Sequence, residues 1–268
     1  MPRADRAGFP TYWTHFGQGP RAALMIHCSL AHSGSWGGMA RHLSGALSMT
    51  AFDMPGHGHS AAWDARDEYQ KVTTQIAASF CDRPVDIVGH SFGATVALRL
   101  AIEQPELVRS LVLIEPVFFA VAQRDAPGMH ALHEGQSTGF IAAMEKGDTL
   151  AAAREFTQIW GDGPPWDQLP TAQRQMLADQ IHLIEAGSVA LNDDPGGMLN
   201  KGALDGVSQP VLLIEGSRSP AIIPAIHEAL ASRLPNARRA VIVGARHMAP
   251  ITHAAQVSDE VLRFLQTT

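Results

Sequence analysis

Short, almost wholly apolar runs alternate with longer helix-like stretches along most of this 268-residue chain. Strands that are covered on both faces of a parallel sheet have this continuous apolar character, whereas half-exposed strands alternate apolar and polar residues. Strand–helix alternation is typical of a parallel sheet wrapped by helices on both sides. The pattern therefore predicts an α/β fold with a doubly wound, mostly parallel sheet.

The boundaries of the expected elements follow from the same pattern. We predict strands at Ala22–His27, Leu47–Phe52, Val85–Val88, Ser110–Glu115, Pro210–Glu215 and Ala240–Val243. We predict helices at Gly38–Leu47, Tyr69–Cys81, Phe92–Gln104, Pro224–Arg233 and His253–Gln266. Right-handed crossovers would bring the loops after the strands to one edge of the sheet, where ligands usually bind.

One segment, residues 118–205, breaks the alternation because it contains no convincing strand. Turn-rich stretches separate its helix-like pieces, which are Gly139–Glu145, Leu150–Trp160 and Thr171–Ala186. We predict a helical cap insertion at 118–205 on a core formed by residues 1–117 and 206–268. Trp160 and Trp166 either line a pocket or pack the insertion onto the core.

The run from Val85 to Pro105 contains Gly89-His90-Ser91-Phe92-Gly93, a G-x-S-x-G sequence. Gly and Ser are common, so the motif gains its weight from the apolar strand before it and the Ala/Leu-rich helix after it. A serine on a sharp strand-to-helix turn has a strained backbone, and small residues on either side prevent clashes. The turn would raise the Ser91 hydroxyl above the sheet, beside the free N–H groups of the helix.

With this motif the sequence resembles the α/β-hydrolase superfamily over nearly its whole length. Met25–Ser29 ends a strand where the family usually has His-Gly and a variable residue. Asp53–Ser60 matches the family loop D-x-P-G-x-G-x-S, and Gly244–Met248 resembles the loop of the catalytic histidine. The stretch Arg246–His253 is similar to that loop in small uncharacterised bacterial hydrolases.

The resemblance implies roles for several residues. Ser91 is the expected nucleophile, and it needs a base because a free hydroxyl is scarcely ionised at neutral pH. His247 is the expected base, since it follows a predicted strand and comes after the serine, as in the family order. Backbone N–H groups of Ser29 and Phe92 are expected to form the oxyanion hole. Cys28 replaces the usual glycine and would be strained if that position needs a positive φ.

The acid of the expected triad departs from the family pattern. Ser219 occupies the position of the usual Asp, and a serine cannot supply a negative charge. Some members of the superfamily carry the acid after an earlier strand, where this chain has Glu115. A carboxylate at the end of a buried apolar strand costs free energy unless a partner pairs with it, which favours Glu115 as the acid. Glu215 is a second candidate, and a degraded triad with little activity is the third possibility.

These assignments predict a serine hydrolase of the carboxylesterase type with a Ser91–His247–Glu115 triad. The resemblance implies that the substrate is an ester, thioester or lactone, and the expected pocket residues Leu30, Phe118, Trp160 and Met248 suggest a small, mainly apolar one. Carbon–carbon bond hydrolysis on the same scaffold and small-ligand binding without catalysis remain as alternatives. A partner-binding module is a weaker one, because a strained serine turn has no evident use there.

Composition bears on the partners and the cellular location that we expect for the protein. The chain has 20 Lys+Arg against 26 Asp+Glu, a net charge of −6 that argues against a nucleic-acid binder. Neither a signal-peptide core nor an apolar run of membrane-spanning length is evident. Two cysteines, Cys28 and Cys81, are expected to be free thiols. We expect a cytoplasmic protein that acts without cofactor or metal on a small molecule, as a monomer or homodimer.

Overall fold

A computed structural model describes residues 3–268 of the chain, and its centre is one eight-stranded sheet. The strands are β1 (Arg3–Arg6), β2 (Phe9–Phe16), β3 (Arg21–Ile26), β4 (Leu47–Phe52), β5 (Val85–His90), β6 (Val108–Ile114), β7 (Val211–Gly216) and β8 (Ala237–Ile242). Their order across the sheet is β1-β2-β4-β3-β5-β6-β7-β8. The six strands from β3 to β8 run parallel, and β1 and β2 are antiparallel to their neighbours. The predicted α/β fold is confirmed.

Eleven α-helices complete the described part of the chain. They are α1 (Gly37–Leu43), α2 (Tyr69–Ala78), α3 (Phe92–Glu103), α4 (Phe119–Asp125), α5 (Pro127–Glu145), α6 (Thr149–Trp160), α7 (Thr171–Gln180), α8 (His182–Asn192), α9 (Ile222–Ala231), α10 (Ala249–Thr252) and α11 (Ala254–Leu265). Within residues 3–268, none of them combines the length and apolarity that crossing a bilayer requires.

Helices cover both faces of the sheet, which explains the continuous apolar character of its strands. All six residues of β5 and of β7 are buried. One apolar core lies between the sheet and α2, α3, α4 and α9, and a second lies between the sheet and α1 and α11. β8 is the exposed edge, and its Arg238 and Arg239 place charge where an unpaired strand would otherwise invite association.

The segment between β6 and β7 carries α4 to α8, here called the insertion helices. α5, α6 and α7 share a small core of their own that includes Ala143, Ala152 and Ile181. The predicted helix at Gly139–Glu145 is too short, because α5 already begins at Pro127. The predicted helix at Thr171–Ala186 is two helices, α7 and α8, that meet at Ile181.

The N-terminal hairpin of β1 and β2 was not expected from the sequence. Ala7 and Gly8 join the strands with φ of 49° and 80°, and two left-handed residues in a row are typical of tight hairpins. β1 has no buried residue and β2 only two, so neither strand carries the apolar run that marks the parallel strands. The sequence therefore gives no local signal for the hairpin, which is identified in the structure by the pairing of β2 with β4.

Candidate active site

The nucleophile candidate, Ser91, lies at the turn between β5 and α3. Its backbone has φ 55° and ψ −118°, a conformation that residues other than glycine rarely adopt. The Ser91 N–H donates to the carbonyl oxygen of Ile114 at 2.8 Å, which ties the turn to β6. The strained backbone is thus held by sheet pairing on one side and by the buried helix α3 on the other.

Steric crowding explains both glycines of the G-x-S-x-G motif. A Cβ at Gly89 would lie 2.4 Å from the carbonyl oxygen of Gly93, inside any allowed contact. A Cβ at Gly93 would lie 2.2 Å from the carbonyl oxygen of Ile26 on the neighbouring strand β3. Both contacts are with backbone atoms that cannot rotate away, so the turn requires glycine at these two positions.

Ser91, His247 and Glu115 form a continuous chain of hydrogen bonds. The Ser91 Oγ lies 2.9 Å from Nε2 of His247, and Nδ1 of His247 lies 2.9 Å from Oε2 of Glu115. Only 7%, 3% and 0% of the three residues are exposed, respectively. A carboxylate at Nδ1 favours the tautomer with hydrogen on that nitrogen, which leaves Nε2 free to accept the serine proton.

Glu115 is held by three donors at the end of β6. Its Oε1 accepts the Gly216 N–H at 2.6 Å and the Ser219 hydroxyl at 2.5 Å, while Oε2 faces His247. Burial by itself would raise the pKa of Glu115, but the bonds to His247, Ser219 and Gly216 outweigh it and keep the pKa below its ordinary value. The residue at the family's usual acid position therefore supports the carboxylate that lies elsewhere.

Glu215, the second candidate for the acid, faces away from His247. Its Oε1 accepts from Arg239 at 2.8 Å, and its Oε2 lies 3.5 Å from Nδ1 of the buried His227. Glu115 also has a positive φ, 52°, which turns the chain sharply at the end of its strand. Of the two carboxylates, only that of Glu115 contacts the histidine.

Two backbone N–H groups beside Ser91 are without an acceptor within residues 3–268. They belong to Ser29, in the loop after β3, and to Phe92, the first residue of α3. Unpaired N–H groups at a helix start are good hydrogen-bond donors to an anionic oxygen. Ser29 and Ser91 both line the cavities described below.

Two buried histidines hold the loop that carries Ser29. Nε2 of His57 accepts the Leu30 N–H at 3.0 Å, and Nε2 of His27 accepts the Met54 N–H at 3.0 Å. The positive φ of this loop, 60°, is at Leu30 and not at Cys28, so the strain expected for Cys28 does not arise. The loop after β3, which carries His27 and Ser29, and the Asp53–Ser60 loop are thus joined by hydrogen bonds into one unit.

Asp53 organises the second half of that unit. Its carboxylate accepts from the N–H of Ser33 at 2.6 Å and of His59 at 2.7 Å. A Cβ at Gly58 would lie 2.0 Å from the Asp53 carboxylate, and the φ of Gly58 is 53°. The family-like loop sequence is therefore explained by packing around one buried carboxylate.

His90, next to Ser91 in the sequence, contacts the loop that carries His247. Its Nε2–H donates to the backbone carbonyl oxygen of His247 at 2.8 Å, and the two rings lie 5.2 Å apart. The sequence position of His90 carried no signal of this, because the contact joins residues 157 positions apart. His90 positions His247 without touching the site itself.

Five buried histidines are expected to make the free energy of unfolding depend strongly on pH in the acidic range. Burial, the main cause, lowers the pKa of His57, His90 and His227 to about 3, and of His27 and His133 to about 4. Between pH 6.5 and 4 the unfolded chain binds protons that the folded chain does not, so stability falls as pH falls. Each such histidine contributes about 1.4 kcal/mol per pH unit.

We expect the free energy of unfolding to fall steeply from pH 6.5 to pH 4.5. His227 offers a test, because within residues 3–268 neither of its ring nitrogens has a hydrogen-bond partner. His227→Phe should reduce the slope by about 1.4 kcal/mol per pH unit. Urea unfolding followed by tryptophan fluorescence measures this, with exposed His42→Ala as the control. An unchanged slope in His227→Phe would contradict the expectation.

Two cavities meet at Ser91. The α5 cavity, of about 520 Å³, lies against α5 and α8 and includes Phe119, His133 and Phe140 in its wall. The α7 cavity, of about 620 Å³, includes Leu30, Met248 and residues of α7. Both share the same four residues at their junction, Ser29, Ser91, Phe156 and Trp160.

Three of the four predicted pocket residues, Leu30, Trp160 and Met248, line these cavities, and Phe118 does not. The side chain of Phe118 is fully buried in the apolar core. Its neighbour Phe119 begins α4 and lines the α5 cavity instead, because successive side chains leave the backbone in different directions. The prediction for Phe118 is wrong by one residue.

No three His, Cys, Asp or Glu side chains within residues 3–268 are grouped as metal ligands would be.

Comparisons with known proteins agree with this fold. Residues 23–254 match the family model for the alpha/beta hydrolase fold. A pimeloyl-[acyl-carrier protein] methyl ester esterase of Nitrosomonas europaea is 31% identical over 83% of this chain and 86% of its own length. The esterase of the same name from Methylococcus capsulatus is 28% identical over 94% of this chain and 97% of its own length.

Solved structures show the same fold at lower identity. An alpha/beta hydrolase from Sphaerobacter thermophilus superposes with a TM-score of 0.72 and 20% identity, covering 98% of this chain and all of the other. A putative lipase from Acinetobacter baumannii superposes with a TM-score of 0.77 and 16% identity, covering 99% of this chain and 90% of its own.

Proposed function

The chain belongs to the α/β-hydrolase family, and on that basis we propose that it is a serine hydrolase acting on carboxylic esters. The observation that carries the proposal is the hydrogen-bond chain from Ser91 through His247 to Glu115, beside two unpaired N–H groups. Thioesters and lactones undergo the same acyl chemistry and fall within the proposal.

In the first half of the proposed reaction, Ser91 attacks the carbonyl carbon of the ester. Nε2 of His247 takes the hydroxyl proton, and the Glu115 carboxylate stabilises the resulting imidazolium. The N–H groups of Ser29 and Phe92 donate to the oxyanion, and each such donor is worth about 3 kcal/mol in the transition state. His247 then protonates the departing alcohol, which leaves an acyl group on Ser91.

In the second half, water replaces the alcohol. His247 takes a proton from the water as it attacks the acyl carbonyl, and then returns that proton to the Ser91 oxygen as the acid leaves. The buried Glu115 stays ionised throughout, which its lowered pKa supports. Microscopic reversibility lets one histidine serve both steps.

The two cavities support a division of the substrate at Ser91. His247, which must protonate the alcohol, lines only the α7 cavity, so we assign the alcohol to that side. The acyl chain then enters the α5 cavity, where Val117, Phe119 and Phe140 supply an apolar wall. The names of the esterase relatives describe methyl esters of an acyl chain. The α7 cavity is the larger of the two, so this division admits alcohols bigger than methanol as well.

Two alternatives from the sequence remain to be separated by experiment. A carbon–carbon bond hydrolase could use the same serine and histidine, so only the substrate distinguishes it. A non-catalytic binding protein would not need a charged partner for His247. The 2.9 Å contact between Glu115 and His247 therefore supports catalysis over binding alone.

The proposal is tested with p-nitrophenyl esters from acetate to octanoate, methyl octanoate and a diketone substrate. We expect ester hydrolysis that improves with chain length until the α5 cavity is full, and fluorophosphonate labelling that mass spectrometry places on Ser91. Diketone cleavage without ester hydrolysis would favour the carbon–carbon alternative. Neither turnover nor labelling would leave the binding protein as the best interpretation.

A further inference from the structure

His133, on α5, is a polar residue in the wall of the α5 cavity that the mechanism does not use. It is 9% exposed, and its Nδ1 is buried without a hydrogen-bond partner. Its Nε2 makes no hydrogen bond within residues 3–268 and is not buried in the same way, so it is the ring nitrogen that a ligand in the cavity can reach. A buried imidazole without partners loses the hydrogen bonds that it makes in water, so a ligand that supplies one is favoured.

Two aromatic side chains hold the His133 ring close to the reacting groups. The ring stacks on Phe119 with centroids 4.5 Å apart and 29° between planes. It meets the edge of Trp160 at 5.5 Å, and Trp160 in turn lies 4.6 Å from the ring of His247. Trp160 therefore lies between the rings of His133 and His247, and His133 lines the same cavity as Ser91.

The His133 ring is neutral at pH 7. Burial, with a smaller effect of His130 nearby, lowers its pKa to about 4. A neutral imidazole offers one donor and one acceptor, which suits an uncharged oxygen such as a carbonyl or hydroxyl. A carboxylate would need a positive partner that this ring does not provide.

The charged residues around the α5 cavity also disfavour an anionic acyl chain. Exposed carboxylates of Glu134, Glu145 and Glu185 lie at its rim, and among the described residues no Lys or Arg lines it. His130 also lines the cavity, but its Nδ1 lies 3.5 Å from Glu134. An acyl chain that ends in a carboxylate would therefore meet like charge.

We propose that His133 determines acyl specificity by hydrogen bonding to an uncharged oxygen, a ketone or hydroxyl group, on the acyl chain of the substrate. The inference rests on the proposed ester hydrolysis and refines it by naming a substrate class. It distinguishes oxygenated acyl chains from purely alkyl chains and from dicarboxylic half-esters of equal length.

The test compares p-nitrophenyl hexanoate with the 4-oxo and 5-oxo hexanoates, in which one CH₂ becomes a carbonyl with little change in shape. We expect the wild type to prefer at least one oxo ester by about 5- to 10-fold in kcat/KM, as one neutral hydrogen bond allows. The p-nitrophenyl half-ester of adipic acid is the charged comparison and should be the poorest substrate.

Three variants separate recognition from packing. His133→Phe keeps the aromatic stack and removes both nitrogens, so the oxo preference should vanish while hexanoate turnover persists. His133→Leu also removes both nitrogens, so the test can still be made if His133→Phe fails to fold. His133→Gln retains a donor and an acceptor and should keep part of the preference. His42→Phe, at an exposed histidine of α1 that lines neither cavity, is the control and should keep the wild-type ratio.

Equal oxo-to-hexanoate ratios in the wild type and His133→Phe would overturn the inference while leaving the ester hydrolase intact. A preference for the adipate half-ester would also overturn it. Absence of all ester hydrolysis, together with absent labelling of Ser91, would overturn the proposed function, and the inference with it. The two failures are therefore distinguishable.

Discussion

Ser91→Ala should lower kcat for p-nitrophenyl hexanoate by about 10⁶-fold, because loss of the nucleophile in a serine hydrolase removes nearly all catalysis. The fold should persist, since the Ser91 N–H keeps its bond to Ile114 and, within residues 3–268, the hydroxyl bonds only His247. Initial rates with active-site titration of the wild type measure the loss, and circular dichroism verifies folding.

Ser29→Ala is the matched control for this substitution. Ser29 lines both cavities at the same junction, but the proposed mechanism uses only its backbone N–H. We therefore expect a change of only a few fold. Activity in Ser91→Ala within about 100-fold of the wild type would point to another nucleophile. Cys28 is a poor one, because burial raises the pKa of its thiol to about 12.

Glu115→Gln should lower kcat by about 10⁴-fold, the effect of replacing a triad carboxylate with its amide. The carboxylate accepts from Gly216, Ser219 and His247, whereas an amide has only one accepting oxygen. If that oxygen stays with Gly216 and Ser219, the NH₂ group faces Nδ1 of His247. The hydrogen then moves to Nε2, which can no longer accept the Ser91 proton.

Glu215→Gln is the control for Glu115→Gln, since it tests the other candidate acid on the adjacent strand. Its partners are Arg239 and His227, so kcat should change by no more than a few fold. Equal losses in the two variants would contradict the assignment of Glu115. Thermal unfolding of both variants verifies that the losses are not due to unfolding.

Ser219 allows a rescue experiment. In Glu115→Gln/Ser219→Asp the carboxylate moves to the position that the family usually uses, at a residue that now bonds the Glu115 carboxylate. We expect this double variant to recover at least 10-fold of the activity lost in Glu115→Gln. Ser219→Asp alone should destabilise the protein, because two carboxylates would then face each other where a 2.5 Å hydrogen bond exists now.

The turn that carries Ser91 is the part of the candidate site that local sequence predicts best. The end of β5, Ser91 and the start of α3 are contiguous, so the strand, the turn and the helix all leave their signals in one short run. Even here the glycine requirement is partly tertiary. Gly93 must be glycine because the carbonyl of Ile26, on a different strand, lies where its Cβ would be.

Features that depend on side-chain direction could not be predicted. Phe118 and Phe119 are equally apolar in sequence, and only the start of α4 decides which one meets the cavity. His133 looked like one of many histidines until α5 placed it against Phe119 and Trp160. The N-terminal hairpin left no apolar run, because most of its residues are exposed or half-buried, and its place in the sheet depends on pairing with the distant strand β4.

The sequence by itself determined the α/β class, because strands buried on both faces must be apolar along their whole length, whatever their order in the sheet. It also determined the serine turn, whose signals are local. Only the tertiary structure decided which carboxylate meets His247. Glu115 and Ser219 are 104 residues apart and touch because β6 and β7 are parallel neighbours, and no short-range pattern records that adjacency.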